Sequence, residues 1–560
     1  MRIVDVSIRN FRGISNLSWQ PPPGVLCLVG PGDSGKTTIL EAIESALYPR
    51  WALQFVDSDF FQGSTAEPIE IEVTVVDVPS RLLTQDKYGL DQRGFAPSGE
   101  IHDEPEDEDT PALTVRLRID ESLEPAWHVI SDRNPEGRVI PARDREILAA
   151  VPLGDDVDRQ LAWTRGSSLT RLNDDPDIVS AALSAAHRKA RDAVSDLDFD
   201  GLKEAAEKAG EWGVRYGAQL AVPLDVGIDA RQLNVGSGSL TLAQADRIPA
   251  RSVGLGSRRL LALAIQRQAA GQSVVMLVDE VEHGLEPHRL RHLLQELRRS
   301  GQQVLLTSHS DTAIAELGTD GIAVVRRDDV GRVGVLRPDP ALQGVMRAMP
   351  EALLARRVIV CEGATEYGIS RGLVSSWDAT RDVPLAARGA VFVPGGGGDN
   401  AAQRALALQT LGFECAYWAD SDRATTPSID VLRAAGVQCI VWDEGLNTEQ
   451  RIGNDVSDEI LGRLWELAVS EKGAETVANQ LGSALAVPGS PPRSWPEWLA
   501  STSVDQLRSV FGSAAARFGW FKTISAGEQL GTVLAGSLPS IATTDLARKA
   551  DEVQAFAYGD

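Results

Sequence analysis

The segment Gly30–Thr37, with the sequence GPGDSGKT, constrains the fold of this chain more than any other feature. It matches the pattern G-x-x-x-x-G-K-[S/T] in full, and it lies between the apolar run VLCLV and the helix-forming run TILEAIESAL. A glycine-rich loop between a buried strand and a helix directs backbone N–H groups and the positive end of the helix dipole towards phosphate groups. The sequence therefore predicts a P-loop nucleotide-binding domain in the N-terminal part of the chain.

The side chains of this loop are suited to different parts of a nucleotide. Lys36 is expected to reach the β- and γ-phosphate oxygens, and the hydroxyl of Thr37 is expected to hold Mg²⁺. ATP with one Mg²⁺ ion is therefore the expected cofactor of this domain. The predicted nucleotide-binding residues of the loop are Gly30, Gly32, Ser34, Gly35, Lys36, Thr37 and Thr38.

Two later apolar runs are expected to complete this site. VVMLVDE (274–280) delivers Asp279 towards the metal and places Glu280 beside the γ-phosphate, where it is the candidate base that orients the attacking water. LLTSHS (305–310) places His309 directly after another buried strand, where it can contact the γ-phosphate. These three side chains therefore join the predicted nucleotide-binding set.

Four segments, SIRNFRGI, the P-loop, LVDEVEHGL and TSHS, occur in an order that resembles the ABC/SMC-like ATPases of the RecF and OLD group. The resemblance implies that two ATPase heads enclose ATP and that a signature loop of one head completes the site of the other. The corresponding stretch here, Ser252–Arg259, departs from the pattern L-S-G-G-Q because Gly254 occupies the serine position. An Ala-rich stretch at about residues 176–220 predicts a helical arm inserted into the head, which we expect to serve dimerisation.

Acidic residues follow two apolar runs in the second half of the chain. VIVCEGATE ends a buried strand with Glu362, and Glu366 follows four residues later. ECAYWADSD ends another strand with Asp420 and Asp422. The carboxyl ends of parallel strands share one edge of a sheet, and carboxylates gathered there repel one another unless divalent cations neutralise them. The sequence therefore predicts a Mg²⁺ or Mn²⁺ site at this edge.

Glu-Gly on one strand and Asp-x-Asp on a later strand resemble the Toprim domain, and the wider set of motifs resembles the OLD family of nucleases. The junction MPEALLARR and the glycine-rich turn VPGGGGDN fit the same family. The resemblance implies phosphodiester hydrolysis by two metal ions, with Glu362 as a ligand or general base and Lys522 near the scissile phosphate. The predicted metal ligands are Glu362, Glu366, Asp420, Asp422, Glu449, Asp455 and, beside ATP, Thr37; the predicted catalytic residues are Glu362, Lys522 and Glu280.

These motifs predict an α/β protein with two domains. An ABC/SMC-like P-loop ATPase head with the helical arm is expected at residues 1–345. A Toprim nuclease domain is expected at residues 346–560, with its parallel α/β core at about 356–460 and helical additions towards the C-terminus. The family resemblance further implies anti-phage defence, double-stranded DNA as substrate, a homodimer or tetramer formed through heads and arm, and a helicase-like protein partner.

The composition limits the compartment and the partners. No apolar run approaches the roughly 18 residues of a membrane span, and MRIVDVSIRNFRGI lacks the apolar segment of a signal peptide, so we expect a cytoplasmic protein with no membrane partner. The four cysteines form no Cys-x-x-Cys pair, which favours free thiols. The net charge of −24 alone argues against nucleic-acid binding, but the motifs outweigh it.

Two other functions stay open at this point. A non-cleaving repair ATPase of the RecF type would use the second sheet only as a scaffold, and its function would survive Glu362→Ala. A Toprim topoisomerase or primase is less favoured. The former requires a tyrosine nucleophile in a DNA-gate domain that is not visible here, and the latter would be expected to carry a zinc-binding domain that the cysteine spacing does not supply.

Overall fold

The computed structural model describes residues 1–49, 53–153, 157–163, 167–172, 200–221, 223–228, 240–245, 248–270, 275–488 and 490–560. It divides into two compact units, Met1–Leu336 and Arg337–Asp560. The P-loop and its companion segments lie in the first unit, and the acidic strand ends lie in the second. Among the described residues, no helix is both long and apolar enough to cross a bilayer.

The P-loop strand lies inside a six-stranded sheet of the first unit. The strands of this sheet, in spatial order, are Val151–Leu153, Met276–Val278, Val304–Thr307, Val25–Val29, Ile322–Arg327 and Val333–Leu336. All neighbours are parallel except the last pair. Central parallel strands are covered on both faces, which explains the uninterrupted apolar runs in the sequence. Their carboxyl ends share one edge, where the P-loop begins.

A second, antiparallel sheet lies against the helix that follows the P-loop. Its strands are Arg2–Phe11, Ile14–Trp19, Ile69–Val76, Arg93–Phe95, Ile101–His102, Thr110–Ile119, Ala126–Ser131 and Asn134–Val139. One core joins Ile71 of this sheet, Ile39 of the helix and Leu305 of the parallel sheet. The P-loop helix is therefore fixed between two layers. A small third sheet contains Ala162–Trp163, Asp225–Ile228 and Leu240–Ala243.

The α-helices of the first unit are Lys36–Ala46, Ala142–Arg145, Val157–Gln160, Ser168–Arg171, Asp200–Arg215, Leu255–Ala270, Pro287–Arg299 and Asp311–Gly321. The helix Asp200–Arg215 belongs to the stretch predicted as a dimerisation arm. Its Leu202 and Ala206 are fully buried in a cluster with Leu261 of the following helix. The apolar face of this helix therefore packs on its own chain, and the role of the stretch in dimerisation stays a prediction. Residues 176–199 of the stretch lie outside the described residues.

The second unit contains a four-stranded parallel sheet with helices around it. The strand order is Ala390–Pro394, Arg357–Cys361, Glu414–Ala419 and Gln438–Val441. The α-helices are Gln343–Ala348, Ala364–Asp378, Leu385–Arg388, Gly398–Thr410, Ile429–Ala434, Thr448–Asp455, Asp458–Lys472, Ala474–Ala484, Trp495–Ser501, Val504–Phe518, Ile524–Ala535 and Asp545–Tyr558. The C-terminal region is therefore helical, and it shares one core with a face of the sheet.

Glycines allow two helices of this unit to approach closely. A Cβ at Gly531 would lie 2.3 Å from the carbonyl oxygen of Ile369, and one at Gly372 would lie 2.4 Å from that of Glu528. The helix Ile524–Ala535 therefore packs backbone to backbone against Ala364–Asp378. This contact brings the segment that contains Lys522 next to the start of the helix that contains Glu366.

We predict that Gly531→Ala destabilises the second unit. The added methyl group has no space, so the helices must separate, and overpacking of this kind costs about 1–3 kcal/mol. Urea unfolding of purified protein measures the change. Gly536→Ala is the matched control, because the nearest atom to its Cβ is 3.9 Å away. Equal stability of the two variants would contradict this view of the helix contact.

Candidate functional sites in the two units

The P-loop has the backbone geometry that its glycines permit. Gly30 and Gly35 adopt φ values of 145° and 99°, and a Cβ at Gly30 would lie 2.4 Å from the carbonyl oxygen of Val325. Lys36 is buried, and its Nζ donates to the carbonyl oxygens of Gly30 at 3.0 Å and Pro31 at 2.7 Å. Burial lowers the pKa of Lys36, and the nearby carboxylate of Asp279 opposes this. The ammonium group therefore lies under the loop that is expected to surround phosphates.

Thr37 and the end of the strand Met276–Val278 meet at the same edge. The hydroxyl of Thr37 donates to the two carboxylate oxygens of Asp279 at 3.0 and 3.2 Å. Thr307 donates to Asp279 at 2.6 Å and accepts the backbone N–H of Glu280 at 2.8 Å. The structure therefore brings together the predicted Mg²⁺ residues of the ATP site.

The remaining predicted nucleotide residues surround this point. Gly32 is exposed, Ser34 is buried under the loop, and Thr38 lies half-buried in the first turn of the helix. His309 is exposed directly after the neighbouring strand, and its backbone N–H donates to Glu282 at 2.6 Å. Glu282 also accepts the hydroxyl of Ser308 at 2.7 Å. Glu282 was not among the predicted residues, and it anchors the loop that contains His309.

In the second unit, Glu362 joins the ends of two neighbouring strands. Its Oε2 accepts the backbone N–H of Asp420 at 2.8 Å. Its Oε1 accepts the backbone N–H of Gly398 at 3.3 Å. Gly396, Gly397 and Gly398 all have positive φ values, which lets this turn approach the carboxylate with its backbone. Glu362 and Asp420 therefore meet at the carboxyl edge of the sheet, as the sequence predicts.

Glu366 and Asp420 are carboxylates in a low-dielectric environment. Burial, followed by the charges of Glu449 and Glu362, raises the pKa of Glu366 to about 7 against a hydrogen bond from Thr448. Burial, followed by the charge of Glu366, raises the pKa of Asp420 to about 8. Burial is the largest cause of both shifts, and the charges of the nearby carboxylates add to it.

Glu449 and Lys522 extend the group towards the surface. Glu449 is 6% exposed, and burial together with the charge of Asp422 raises its pKa, whereas the charge of Lys522 lowers it. Asp422 and Lys522 themselves are exposed. Thr365 links the two sides, since its hydroxyl is 3.4 Å from both Glu449 Oε1 and the carbonyl oxygen of Phe521. We call Glu362, Glu366, Asp420, Asp422, Glu449 and Lys522 the acidic cluster with its lysine.

Asp455 pairs with residues outside this cluster. Its Oδ1 accepts from the guanidinium group of Arg451 at 2.7 Å, and its Oδ2 accepts the backbone N–H of Leu546 at 2.8 Å. One carboxylate oxygen is thus in a buried ion pair and the other in a backbone hydrogen bond, which is a structural arrangement. The expectation of a metal ligand at Asp455 is therefore corrected.

Thr448 is a site residue that the sequence argument missed. It is fully buried, and both its backbone N–H and its hydroxyl lie 2.7 Å from Oδ1 of Asp420. The indole N–H of Trp442 donates to the same hydroxyl at 2.7 Å, which leaves the hydroxyl hydrogen for the carboxylate. The capping box between Asn447 and Gln450 marks the helix N-terminus in the sequence, and it was the available signal for Thr448.

The cluster has the donor chemistry of a Mg²⁺ or Mn²⁺ site, since all its acidic atoms are hard oxygens. Among the described residues, no three His, Cys, Asp or Glu side chains are close enough together to coordinate one metal ion. The carboxylates of the cluster therefore have to move closer to share one ion. Their mutual repulsion is the force that a divalent cation would remove.

The strand–P-loop–helix arrangement and the contact between Thr37 and Asp279 define a P-loop ATPase domain. Residues 25–315, just over half of the chain, match the family described as AAA domain, putative AbiEii toxin, Type IV TA system. The chain belongs to this family. The predicted ATPase domain with ATP as its nucleotide is thereby confirmed.

A curated relative is the DNA replication and repair protein RecF of Chlorobium luteolum, which is 46% identical to this chain over 43 residues. The match covers 8% of this chain and only 12% of the length of that relative. This relative is therefore similar to a short segment of the chain, and its activity is not transferred on this basis.

Solved SMC head domains are also similar to this chain. An SMC head bound to the C-terminal winged-helix domain of ScpA has 17% identity and a TM-score of 0.38, covering 60% of this chain and 98% of that one. The Pyrococcus furiosus SMC head bound to the C-terminal domain of ScpA has 15% identity, a TM-score of 0.38 and coverages of 62% and 98%. The Thermotoga maritima SMC head has 15% identity, a TM-score of 0.31 and coverages of 60% and 100%. These similarities are too weak to assign a function.

We predict that Asp420→Asn stabilises the metal-free protein at high pH. The folded-state pKa of about 8 lies above the unfolded value, so the stability contribution of Asp420 is complete at low pH and is lost as the pH rises through 8. The melting temperature of the variant should exceed that of the wild type by on the order of 3 °C at about pH 8.5, with little difference at about pH 5.

Differential scanning calorimetry in chelator, at both pH values, makes this comparison. In a second measurement, Mg²⁺ replaces the chelator. It should raise the melting temperature of the wild type at the higher pH and leave that of the variant nearly unchanged. A variant that is less stable than the wild type at high pH without metal would show that Asp420 is not held among like charges.

Proposed function

We propose that this protein is an ATP-regulated, divalent-metal-dependent DNA endonuclease with a Toprim-type nuclease site in its second unit. The observation that supports this most is the convergence of Glu362, Asp420, Glu366 and Glu449 at the carboxyl edge of one parallel sheet. Carboxylates that share such a crevice are suited to hold metal ions for phosphodiester hydrolysis. The ATPase domain on the same chain supplies the nucleotide dependence.

The residues of the cluster have separate proposed roles. Glu366, Asp420 and Glu449, with the exposed Asp422, would hold two Mg²⁺ or Mn²⁺ ions. When bound, such ions supply activation of water and stabilisation of the leaving oxygen. Glu362 would hold metal or accept a proton from the attacking water, because its carboxylate already lies against the Asp420 backbone.

Lys522 would neutralise charge on the scissile phosphate. Its side chain is exposed and yet lies close enough to lower the pKa of the buried Glu449. A lysine at the rim of an acidic crevice can contact a phosphate while the acids below hold the ions. It would also reduce the repulsion that a protein of net charge −24 exerts on DNA.

The proposal includes the biological setting implied by the family resemblance. The substrate would be double-stranded DNA, and the role would be anti-phage defence in the cytoplasm by a homodimer or tetramer joined through its ATPase heads, with a helicase-like protein partner. Nucleotide state in the first unit would govern access to, or the arrangement of, the cluster in the second. The ATPase site would use Glu280 to orient water and His309 to contact the γ-phosphate.

A second candidate is a non-cleaving DNA-repair ATPase of the RecF type. Two observations favour this alternative. One is the short match to RecF. The other is the spacing of the acids, because among the described residues no three His, Cys, Asp or Glu side chains are close enough together to hold a metal ion. In this alternative the second sheet is a scaffold. ATP hydrolysis would persist and DNA would remain uncut, and Glu362→Ala would leave the function intact.

Cleavage of supercoiled plasmid tests the proposal. Purified protein is incubated with Mg²⁺ or Mn²⁺, with and without ATP, and we expect linear or nicked product from the wild type. Asp420→Ala should reduce the rate by at least about 100-fold, because general acid–base and metal contributions are of this size. Lys36→Ala should abolish the response to ATP without removing the nuclease residues.

Asp430→Ala is the matched control for the loss of an acid. Asp430 lies on the exposed helix Ile429–Ala434, and its side chain is 95% exposed, so cleavage should be unchanged. Persistent cleavage by Asp420→Ala would show that the site is elsewhere. Cleavage that ignores both ATP and Lys36→Ala would refute the coupling between the units.

A further inference from the structure

A single arginine of the helix Leu255–Ala270 reaches the segment that contains the proposed catalytic base. The guanidinium group of Arg259 donates to the backbone carbonyl oxygens of Asp279 at 2.5 Å and Glu280 at 2.8 Å. A third contact, to the carbonyl oxygen of His283, is 3.4 Å long. Arg259 therefore spans the turn that follows the strand Met276–Val278.

This turn has a backbone conformation that needs support. Glu280 has a φ of 44°, which lies in the left-handed region that non-glycine residues rarely adopt. Its side chain is exposed, and its ion-pair partner among the described residues is the imidazole of His283, at 3.6 Å from Oε2. The direction of the carboxylate is therefore set mainly by the backbone on either side of Glu280.

The backbone of Glu280 is held from both sides. Its N–H donates to Thr307, which in turn donates to the carboxylate of Asp279. Its carbonyl oxygen accepts from Arg259. Thr307 belongs to the neighbouring strand and also bonds to Asp279, whereas Arg259 comes from a helix and donates to the backbone of this turn. The planar fork of an arginine suits this task, since it reaches several carbonyl oxygens at once.

We propose that Arg259 is a positioning residue for ATP hydrolysis, which holds Glu280 in its strained conformation and so aims the carboxylate at the attacking water. The inference rests on the proposed role of Glu280 as the base. Through Arg259, the helix Leu255–Ala270 would then be connected with the backbone of Glu280, the proposed hydrolytic residue of the same chain. Movement of this helix would reorient Glu280 through the backbone of its turn.

The test uses Arg259→Met, which keeps an apolar stem and removes the donors. We expect kcat for ATP hydrolysis to fall by roughly 30- to 100-fold, since a displacement of about 1 Å can have this effect. The affinity for a fluorescent ATP analogue should stay within about threefold, because the hydrogen bonds of Arg259 described above support the turn that contains Glu280. Glu280→Gln should show the same separation of kcat from nucleotide affinity.

A double-mutant cycle distinguishes positioning from general damage. Arg259→Met should add less than about a twofold loss of kcat when Glu280→Gln is already present, because the group it positions is gone. Arg267→Ala is the control for removing an arginine from the same helix: Arg267 stacks over Trp212, so its loss should lower stability and leave kcat nearly unchanged. Multiplicative losses of kcat in the double variant would overturn the proposal.

Hydrogen exchange gives a measurement that does not depend on turnover. In nucleotide-free protein, the peptide that covers Glu280 and His283 should exchange faster in Arg259→Met than in the wild type, and Glu280→Gln should leave it unchanged. Unchanged exchange in Arg259→Met would overturn the proposed support of this turn. A different result would be faster exchange in Arg259→Met together with normal ATP hydrolysis in Glu280→Gln. It would refute the proposed role of Glu280 as the base and would still support the contact between Arg259 and this turn.

Discussion

Burial of carboxylates at the edge of the small parallel sheet is the constraint on which the proposed site of the second unit depends. The strand ends place Glu362 and Asp420 side by side, and the following helices bring Glu366 and Glu449 into the same buried space. Burial makes each charge more costly, so the pKa values of Glu366 and Asp420 rise. Hydrogen-bond donors contact these acids: the glycine-rich turn donates to Glu362, and Thr448, which itself accepts from Trp442, donates to Asp420.

Each unit has its candidate site at the carboxyl edge of its own parallel sheet, but the charges of the buried residues differ between the two sites. In the first unit, the buried ammonium group of Lys36 lies beside Asp279, so one cation of the protein is already in the site. In the second unit, Lys522 is exposed, and the buried charged residues of the cluster, Glu366 and Glu449, are acids. The first arrangement is suited to receive an anion such as a nucleotide phosphate. The second is suited to receive cations first and a phosphate afterwards.

Local motifs predicted the parts of both sites that depend on strand ends. The P-loop, Asp279 and the pair Glu362 and Asp420 follow apolar runs, and parallel pairing then brings them to one edge. The position of Glu449 near these acids was predicted from the family resemblance. These residues were predictable because the distance between them is determined by the pairing of neighbouring strands.

Prediction from the sequence was less informative where the contacts of a side chain depend on a partner from a distant segment. Asp455 is six residues after Glu449 on the same helix, so with about 3.6 residues per turn the two point to different faces, and Asp455 meets Arg451 and the backbone of Leu546 instead. Helix phase could have indicated this, but the partner Leu546 could not be inferred. The Ala-rich pattern of the stretch 176–220 predicts a helix, and Asp200–Arg215 is helical, but that pattern does not reveal that this helix packs on the helix containing Leu261.

Anomalous scattering from Mn²⁺ tests the central claim most directly. Crystals of the full chain are soaked in Mn²⁺ without nucleotide, and an anomalous difference map is calculated. The account predicts peaks among the carboxylates of Glu362, Glu366, Asp420 and Glu449, and their loss in Asp420→Ala. A map with no peak in the second unit, with the four carboxylates well ordered and apart, would contradict it.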